Sequence, residues 1–273
     1  MAAARAVKVM GVVNVTPDSF SDAGRHLDPA AAVAHARRLI AEGADLLDVG
    51  GESTRPGAGP VSEAEEAARV VPVIEAVRAE SAIPISVDTM KPAVARAAIA
   101  AGASLWNDVT ALRHAPESLP LAAELGCEVV LMHMQGEPGT MQKAPRYDDV
   151  VAQVGAFLAR RAEAAIAAGV DPARIWLDPG IGFGKHMTRH NLPLLAGLER
   201  ITALGFPVLL GVSRKSFISA LDGGGVTADR RLGGSIAGAL WGAAAGVAAV
   251  RVHDVAATVQ ALRVWGAIAA ART

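Results

Sequence analysis

The 273-residue chain has a single cysteine, few aromatic residues and no excess of either charge. One thiol, Cys127, excludes an intramolecular disulfide and points to a reducing compartment, the cytoplasm. Phe, Trp and Tyr make up 4% of the chain, so its core must be built from Ala, Val, Leu and Ile. Lys and Arg number 26 against 27 Asp and Glu, a formal charge of -1. That balance argues against a nucleic-acid partner, which a basic excess would suit. With 52% hydrophobic and 19% charged residues, the chain is globular rather than disordered. Its opening apolar run is broken by Asn14, Pro17 and Asp18, too soon for a secretory signal. Residues 232–250 are uncharged and reach the length of a membrane span, but they are mostly Gly and Ala. They read as a buried helix running into a strand, and no membrane partner is expected. There is no HExxH motif and no cysteine pair, so a zinc site is not expected.

What is present is alternation. Apolar runs rich in Val, Ile and Leu lie at 7–15, 45–49, 83–87, 104–107, 128–132, 174–177, 207–212 and 248–252. They have no polar face, as strands buried on both sides require. Ala-rich helical segments separate them. Ser62 and Glu65 form a capping box ahead of one helix, with Glu63 and Glu66 in its first turn. Pro72 inside that segment predicts a kink or an earlier stop. Val150, Val151, Val154 and Leu158 share a stripe in a helix expected over 147–168. Gly43, Gly102, Gly126, Gly169 and Gly205 fall near helix ends, where left-handed caps are wanted. Eight strand–helix units of about 34 residues fit one (β/α)8 TIM barrel domain over residues 1–273. Alternation alone does not show closure, and a doubly wound open sheet is the other solution.

The sharper signal is where the polar residues fall. The eight runs end in turn at Asn14, Asp48, Asp88, Asn107 with Asp108, His133, Asp178, Ser213-Arg214-Lys215, and Arg251 with His253. Any one of these is more often a cap or turn former than a catalyst. The amino ends of the runs, however, carry mostly Ala, Pro, Gly and Cys. In a barrel all eight carboxyl ends converge on one mouth, where active sites lie. Closure would set Arg251 and His253 beside Asn14. Arginine's planar fork suits phosphate oxygens, and Asn14 offers a neutral oxygen for Mg²⁺. That edge reads as a pyrophosphate site, and Ser213-Arg214-Lys215 follows the other strand that commonly binds phosphate in barrels. The plainer reading of Arg251 is an ion pair across the mouth. Asp88, Asn107 and Asp178 make the opposite side acidic and amidic, suited to adjacent N–H groups on a ligand. Guanine and pterin both present such an edge, and the residues do not choose between them.

Other patterns carry less. The segment from Gly180 to Lys185 has histidine where a Walker A loop needs Ser or Thr, and is GxGxG rather than GxGxxG. His26, His35, His114, His186 and His190 read as residues of solvated faces or loops. Gly223 to Gly225 reads as a mobile loop without chemistry.

Several stretches resemble the signatures of dihydropteroate synthases. They are Met10-Gly-Val-Val-Asn14-Val-Thr-Pro-Asp-Ser-Phe20-Ser-Asp, Asp48-Val-Gly-Gly-Glu-Ser-Thr54-Arg55-Pro56-Gly57, Ser86-Val-Asp88-Thr, Asn107-Asp, Leu131-Met132-His-Met-Gln-Gly136, Leu177-Asp178-Pro-Gly-Ile-Gly-Phe183-Gly-Lys, Gly211-Val-Ser213-Arg214-Lys215-Ser and Arg251-Val-His253-Asp-Val. The resemblance runs from Val9 to about Val264, with small departures at Glu137, Gly139 and Gly223 to Gly225. It implies a (β/α)8 barrel, usually a homodimer, that joins p-aminobenzoate to 6-hydroxymethyl-7,8-dihydropterin pyrophosphate, requires Mg²⁺ and is a sulfonamide target. By the same resemblance Asp88, Asn107, Met132, Asp178, Phe183 and Lys215 bind pterin. Asn14, Arg251 and His253 hold pyrophosphate, with Asn14 the metal ligand. Phe20, Thr54, Arg55, Pro56, Ser213 and Lys215 line the p-aminobenzoate site. Asn14, Arg55, Lys215, Arg251 and His253 are the catalytic set. The loops over 16–27 and 51–61 are expected to order over the site and exclude water. Pterin-binding barrels of corrinoid methyltransferases share the acidic pocket but have no need of the pyrophosphate edge. The alternative of a different class is a non-catalytic pterin-binding paralogue.

Overall fold

A computed structural model describes residues 7–16, 29–53, 59–136 and 139–271. Its strands are β1 (Lys8–Asn14), β2 (Leu46–Gly50), β3 (Ile85–Asp88), β4 (Leu105–Asp108), β5 (Glu128–Met132), β6 (Ile175–Asp178), β7 (Leu209–Gly211) and β8 (Ala249–Val252). All pair in parallel, in the order β6-β5-β4-β3-β2-β1-β8-β7. A parallel bridge between Leu177 and Val208 joins β6 to the chain entering β7. The sheet therefore closes on itself, and the open doubly wound arrangement is excluded. Each expected strand is present within about three residues of its expected ends.

The helices lie between strands: α1 (Pro29–Ala41), α2 (Glu63–Glu80), α3 (Pro92–Ala100), α4 (Ser118–Leu125), α5 (Val150–Ala167), α6 (Asn191–Ala196), α7 (Glu199–Thr202), α8 (Ser216–Leu221), α9 (Leu232–Ala244) and α10 (Val255–Ala270). Three expectations need correction. Helix α2 does not stop at Pro72 but continues to Glu80; the proline sits on its exposed face, where water can serve the carbonyl that it leaves unpaired. Its capping box is half formed: Ser62 Oγ accepts from Glu65 N–H at 3.2 Å, while the Glu65 carboxylate turns to Arg69. Helix α9 is not buried all round. It covers Ser235, Ala239, Gly242 and Ala243 and leaves Leu232 and Trp241 outside. The five cap glycines all have positive φ, as at Gly126 (φ 58), where a β-carbon would be strained.

Strand alternation splits the core in two. Val9, Leu47, Val87, Trp106, Leu131, Leu177, Leu210 and Val250 pack outward under the helices. Met10, Leu46, Leu105, Val130, Trp176, Leu209 and Ala249, from seven of the strands, form a separate cluster inside the barrel. Trp176 anchors its floor: its Nε1–H donates to Glu128 at 2.9 Å, and Lys8 lies 5.7 Å over the ring. The plug fills the amino end, so only the carboxyl end can take a ligand. Trp176→Ala is expected to cost about 3–5 kcal/mol in urea unfolding. A loss below about 1 kcal/mol would mean that the interior is filled some other way.

Candidate active site

Above the plug, the inward positions of the strands turn polar. Asp48, Ser86, Asp88, Asn107, Asp178 and Arg251 alternate with outward apolar neighbours and so face the barrel interior. Register sets them side by side. Asp88 is level with Asn107 and with Gly50, and Met132 with Asp178.

Arg251 is the central cation. Its Nε donates to Asp48 at 2.6 Å and its Nη2 to Asp88 at 2.8 Å. Burial opposes the charge, but the two carboxylates outweigh it and hold the guanidinium above the ordinary arginine value. Asp48 also accepts from Asn107 Nδ2 at 3.3 Å, which leaves the amide oxygen of Asn107 as its group for an N–H ligand. Asp178 Oδ1 accepts from the Gly180 N–H at 2.7 Å. Burial raises the Asp178 carboxyl, opposed by Lys215. Lys215 donates to the Ile181 carbonyl and lies 4.8 Å over the Phe183 ring. Burial lowers its ammonium to about 8, against the pull of Asp178. Met132 and Phe183 belong to a small apolar cluster with Val109, Met134, Met141 and Met90, a wall beside these polar groups. Across the mouth, Ser213 Oγ lies 3.0 Å from His253 Nδ1 and accepts from the His253 backbone N–H.

The result is a set of acceptors, half-buried Asp88 and buried Asn107 and Asp178, with an apolar wall, beside an edge that carries Arg251, His253 and Asn14. The pterin-binding enzyme model matches residues 10–253. The Escherichia coli K12 dihydropteroate synthase is 48% identical over 264 residues, 97% of this chain and 92% of that protein. The Xanthomonas albilineans enzyme, solved with 4-aminobenzoic acid, superposes with a TM-score of 0.90 at 55% identity, over 97% of this chain and 93% of the other. The same organism's enzyme with 7,8-dihydropteroate gives 0.87 at 53% identity, over 97% and 94%. This chain belongs to the dihydropteroate synthase family of pterin-binding enzymes.

Of the residues that the family resemblance assigned, the structure brings Asp88, Asn107, Met132, Asp178, Phe183, Ser213, Lys215, Arg251 and His253 to the carboxyl end of the barrel. Asn14 ends β1 there, beside β2 and β8. Phe20, Thr54, Arg55 and Pro56 lie outside the described residues, as does most of the two expected covering loops.

Other strand ends do less than their position suggested. Arg214 does not face the mouth as a phosphate ligand. Its guanidinium is paired with Asp254 at 2.9 and 2.5 Å, and its backbone is left-handed (φ 57). Asp108 points outward and caps its own turn, accepting from Thr110 N at 2.7 Å and Leu112 N at 2.9 Å. His35 is no surface residue: half-buried, its Nε2 lies 3.1 Å from the Val12 carbonyl, and burial lowers its pKa. His186 and His190 are half-buried and accept backbone N–H groups, while His26 lies outside the described residues.

Sequence reasoning missed Asp48 as a site residue. It was visible only as one strand end among eight, and nothing in the chain order joins it to Arg251, 203 positions away. Its neighbour Asp88 pays electrostatically for this crowding: burial, and then Asp48, push its carboxyl up to about 7. A carboxyl raised on folding adds stability below its unfolded value near 3.8 and loses it as pH rises through about 7. Asp88→Asn is therefore expected to raise the ligand-free melting temperature more at pH 8 than at pH 5. An equal shift at both would show that Asp88 does not titrate in this window.

Proposed function

We propose that this protein is a dihydropteroate synthase, a transferase that joins p-aminobenzoate to 6-hydroxymethyl-7,8-dihydropterin pyrophosphate and releases pyrophosphate. The observation that carries this reading is the joint presence, in one barrel mouth of this chain, of the Asn107–Asp178 acceptor pair and the Arg251 edge; the similar Xanthomonas albilineans enzyme was solved with 4-aminobenzoic acid and with 7,8-dihydropteroate. Binding without chemistry would need only the acceptor pair.

The chain's own groups account for the steps. The pterin N–H edge would bond the Asn107 amide oxygen and Asp178, with the ring against Met132 and Phe183. Arg251 spends two of its five N–H groups on Asp48 and Asp88, so three remain for pyrophosphate oxygens. Its partners hold it in place before the substrate arrives, which is the condition for stabilising charge as it develops. His253, with Nδ1 against Ser213, would donate to the same anion. Asp88 and Asp178 lie where a pterin methylene cation would need negative charge. The attacking aromatic amine is neutral at pH 7, so no strong general base is required.

For the metal, among the described residues no three His, Cys, Asp or Glu side chains converge. Mg²⁺ needs no such cluster, because it keeps several waters and takes other ligands from substrate phosphates. Asn14 fits as its single protein donor. Bound there, the ion would supply positive charge against the leaving pyrophosphate.

We also propose a homodimer. Val264 and Ile268 on α10 are more than half exposed and line one groove with Leu232, Ile236 and Leu240 of α9, an apolar surface that the described residues leave open. A cytoplasmic location fits the lone thiol, Cys127, which is buried and raised to about 11. Among the described residues no helix is long and apolar enough to cross a membrane.

The deciding assay follows pyrophosphate release from the pterin pyrophosphate with Mg²⁺, with and without p-aminobenzoate. Release that depends on the amine, with dihydropteroate formed and activity lost on chelation, is the expected result. Pterin binding without release in either case would leave a binding paralogue. The Lys215 ammonium near pH 8 gives a second check: kcat/KM for the pterin substrate should fall as pH rises through about 8, because the cation facing Asp178 is lost. A flat profile from pH 7 to 9 would take Lys215 out of the site.

A further inference from the structure

Lys185 is among the largest wholly buried side chains, yet it carries an amine and faces no solvent. Sequence reading set its segment aside as a failed phosphate loop. In the structure its Nζ lies 2.8 Å from the Gly180 carbonyl, 2.9 Å from the Phe183 carbonyl, 2.9 Å from His133 Nδ1 and 3.3 Å from the His133 carbonyl. These partners come from two places: the residue after β5, and the loop after β6. Two glycines let the segments touch. A β-carbon on Gly180 would sit 1.9 Å from the His133 carbonyl oxygen, and one on Gly184 would sit 2.2 Å from that of Gln135. Both have positive φ, 66 and 59. Backbone this close presents carbonyl oxygens to one another, and a donor must stand between them. Lys185 is that donor.

The loop it ties carries two groups that meet Lys215. One is the Ile181 carbonyl, which accepts from Lys215 Nζ; the other is the Phe183 ring, 4.8 Å below it. Between them Gly182 is fixed by its N–H to Asn191 Oδ1 at 2.8 Å. Tyr147 adds a second strut, donating its hydroxyl to the Gly184 carbonyl at 2.9 Å.

We propose that Lys185 is a positioning residue for the pterin side of the site: its amine locks the loop after β6 onto the end of β5 and so sets where Ile181 and Phe183 meet Lys215. The inference rests on the reading that Lys215 and Phe183 face the pterin substrate. Loss of the amine takes a donor from all three carbonyls, of which Gly180 keeps the Phe183 N–H at 3.0 Å, so the loop moves away, water reaches Lys215, and the wall against the pterin loosens. The p-aminobenzoate side is reached only through Lys215, which the resemblance places on both sides, because Ser213 is held by His253 rather than by this loop.

The test compares Lys185→Met, which keeps the stem without the amine, and Lys185→Gln, whose shorter amide carries an acceptor oxygen and cannot serve all three carbonyls, with Lys215→Met as control. Folding is checked by circular dichroism, and if Lys185→Met does not fold, Lys185→Gln decides. The expected result is a KM for the pterin pyrophosphate raised roughly 10- to 100-fold, with a smaller rise in the KM for p-aminobenzoate, which is affected through Lys215 alone. The alkaline limb of kcat/KM should also move up from about 8 toward the ordinary lysine value. The charged groups facing Lys215 are Asp178 from β6, Asp88 from β3 and Arg251 from β8, with Lys185 itself on the loop, and these variants leave the first three in place. A folded variant with unchanged pterin KM and an unmoved limb overturns the proposal. So does an equal loss toward both substrates with the limb unmoved, which is what a general packing defect gives. If Lys215→Met itself leaves the pterin KM unchanged, the reading of the pterin site fails instead.

Discussion

The barrel mouth depends on one guanidinium held by two carboxylates. Closing eight parallel strands forces every inward side chain near the carboxyl ends into a narrow space, where charges cannot stay apart and cannot reach bulk water. Asp48 and Asp88 could not both ionise there without a cation between them. Arg251 is that cation, and its planar fork spans two strands that are not neighbours of its own. Removing it would leave two buried carboxylates in mutual repulsion. Removing Asp48 would free the Asn107 amide and leave Arg251 held by Asp88 alone. One ion triad therefore sets the geometry of the pterin side and of the pyrophosphate edge together, which is why the two halves of the site sit at fixed separation.

The fold was legible because its signals repeat. Eight apolar runs and five cap glycines say the same thing eight and five times, and a strand boundary misplaced by two residues changes nothing. The convergence of polar strand ends was legible for the same reason. The pairings within the mouth were not. Strand position says that Arg251 and Asp48 face one space, but whether the fork turns to an anion or to a carboxylate is settled by neighbours two and three strands away. Arg214 shows the same limit. It stands between Ser213 and Lys215 in a motif rich in donors, yet Asp254 claims its fork and turns it into a tie between the chain after β7 and the chain after β8. Helix α2 misled for a local reason: the proline rule describes a lost hydrogen bond, and at an exposed position water offsets that loss.

The glycine-rich segment after β6 was the least legible. Its pattern resembles a phosphate loop because both need backbone that comes close to something. In a phosphate loop that something is a ligand. Here Gly180 and Gly184 let the backbone approach the chain after β5, and the lysine that would have reached a phosphate is buried between carbonyls. Spacing alone cannot tell which partner the glycines serve, whereas the burial of Lys185 does.

The Ser213–His253 contact invites comparison with a nucleophile and its base, and the surroundings argue otherwise. A catalytic serine needs a histidine oriented by a third group, commonly a carboxylate. The nearest carboxylate in sequence, Asp254, is committed to Arg214. Ser213 also accepts from the His253 backbone N–H, so its oxygen is an anchor for the residue it touches. The pair fixes an imidazole at the rim, beside the edge where a leaving anion would gather its charge. The other titratable groups follow the same logic. Lys215 is drawn down to about 8 and Asp88 pushed up to about 7, and each is held by neighbours rather than aimed at a proton to be moved. A site built in this way works by placing fixed charges around a bond that ionises, and its power depends on how rigidly those charges are held.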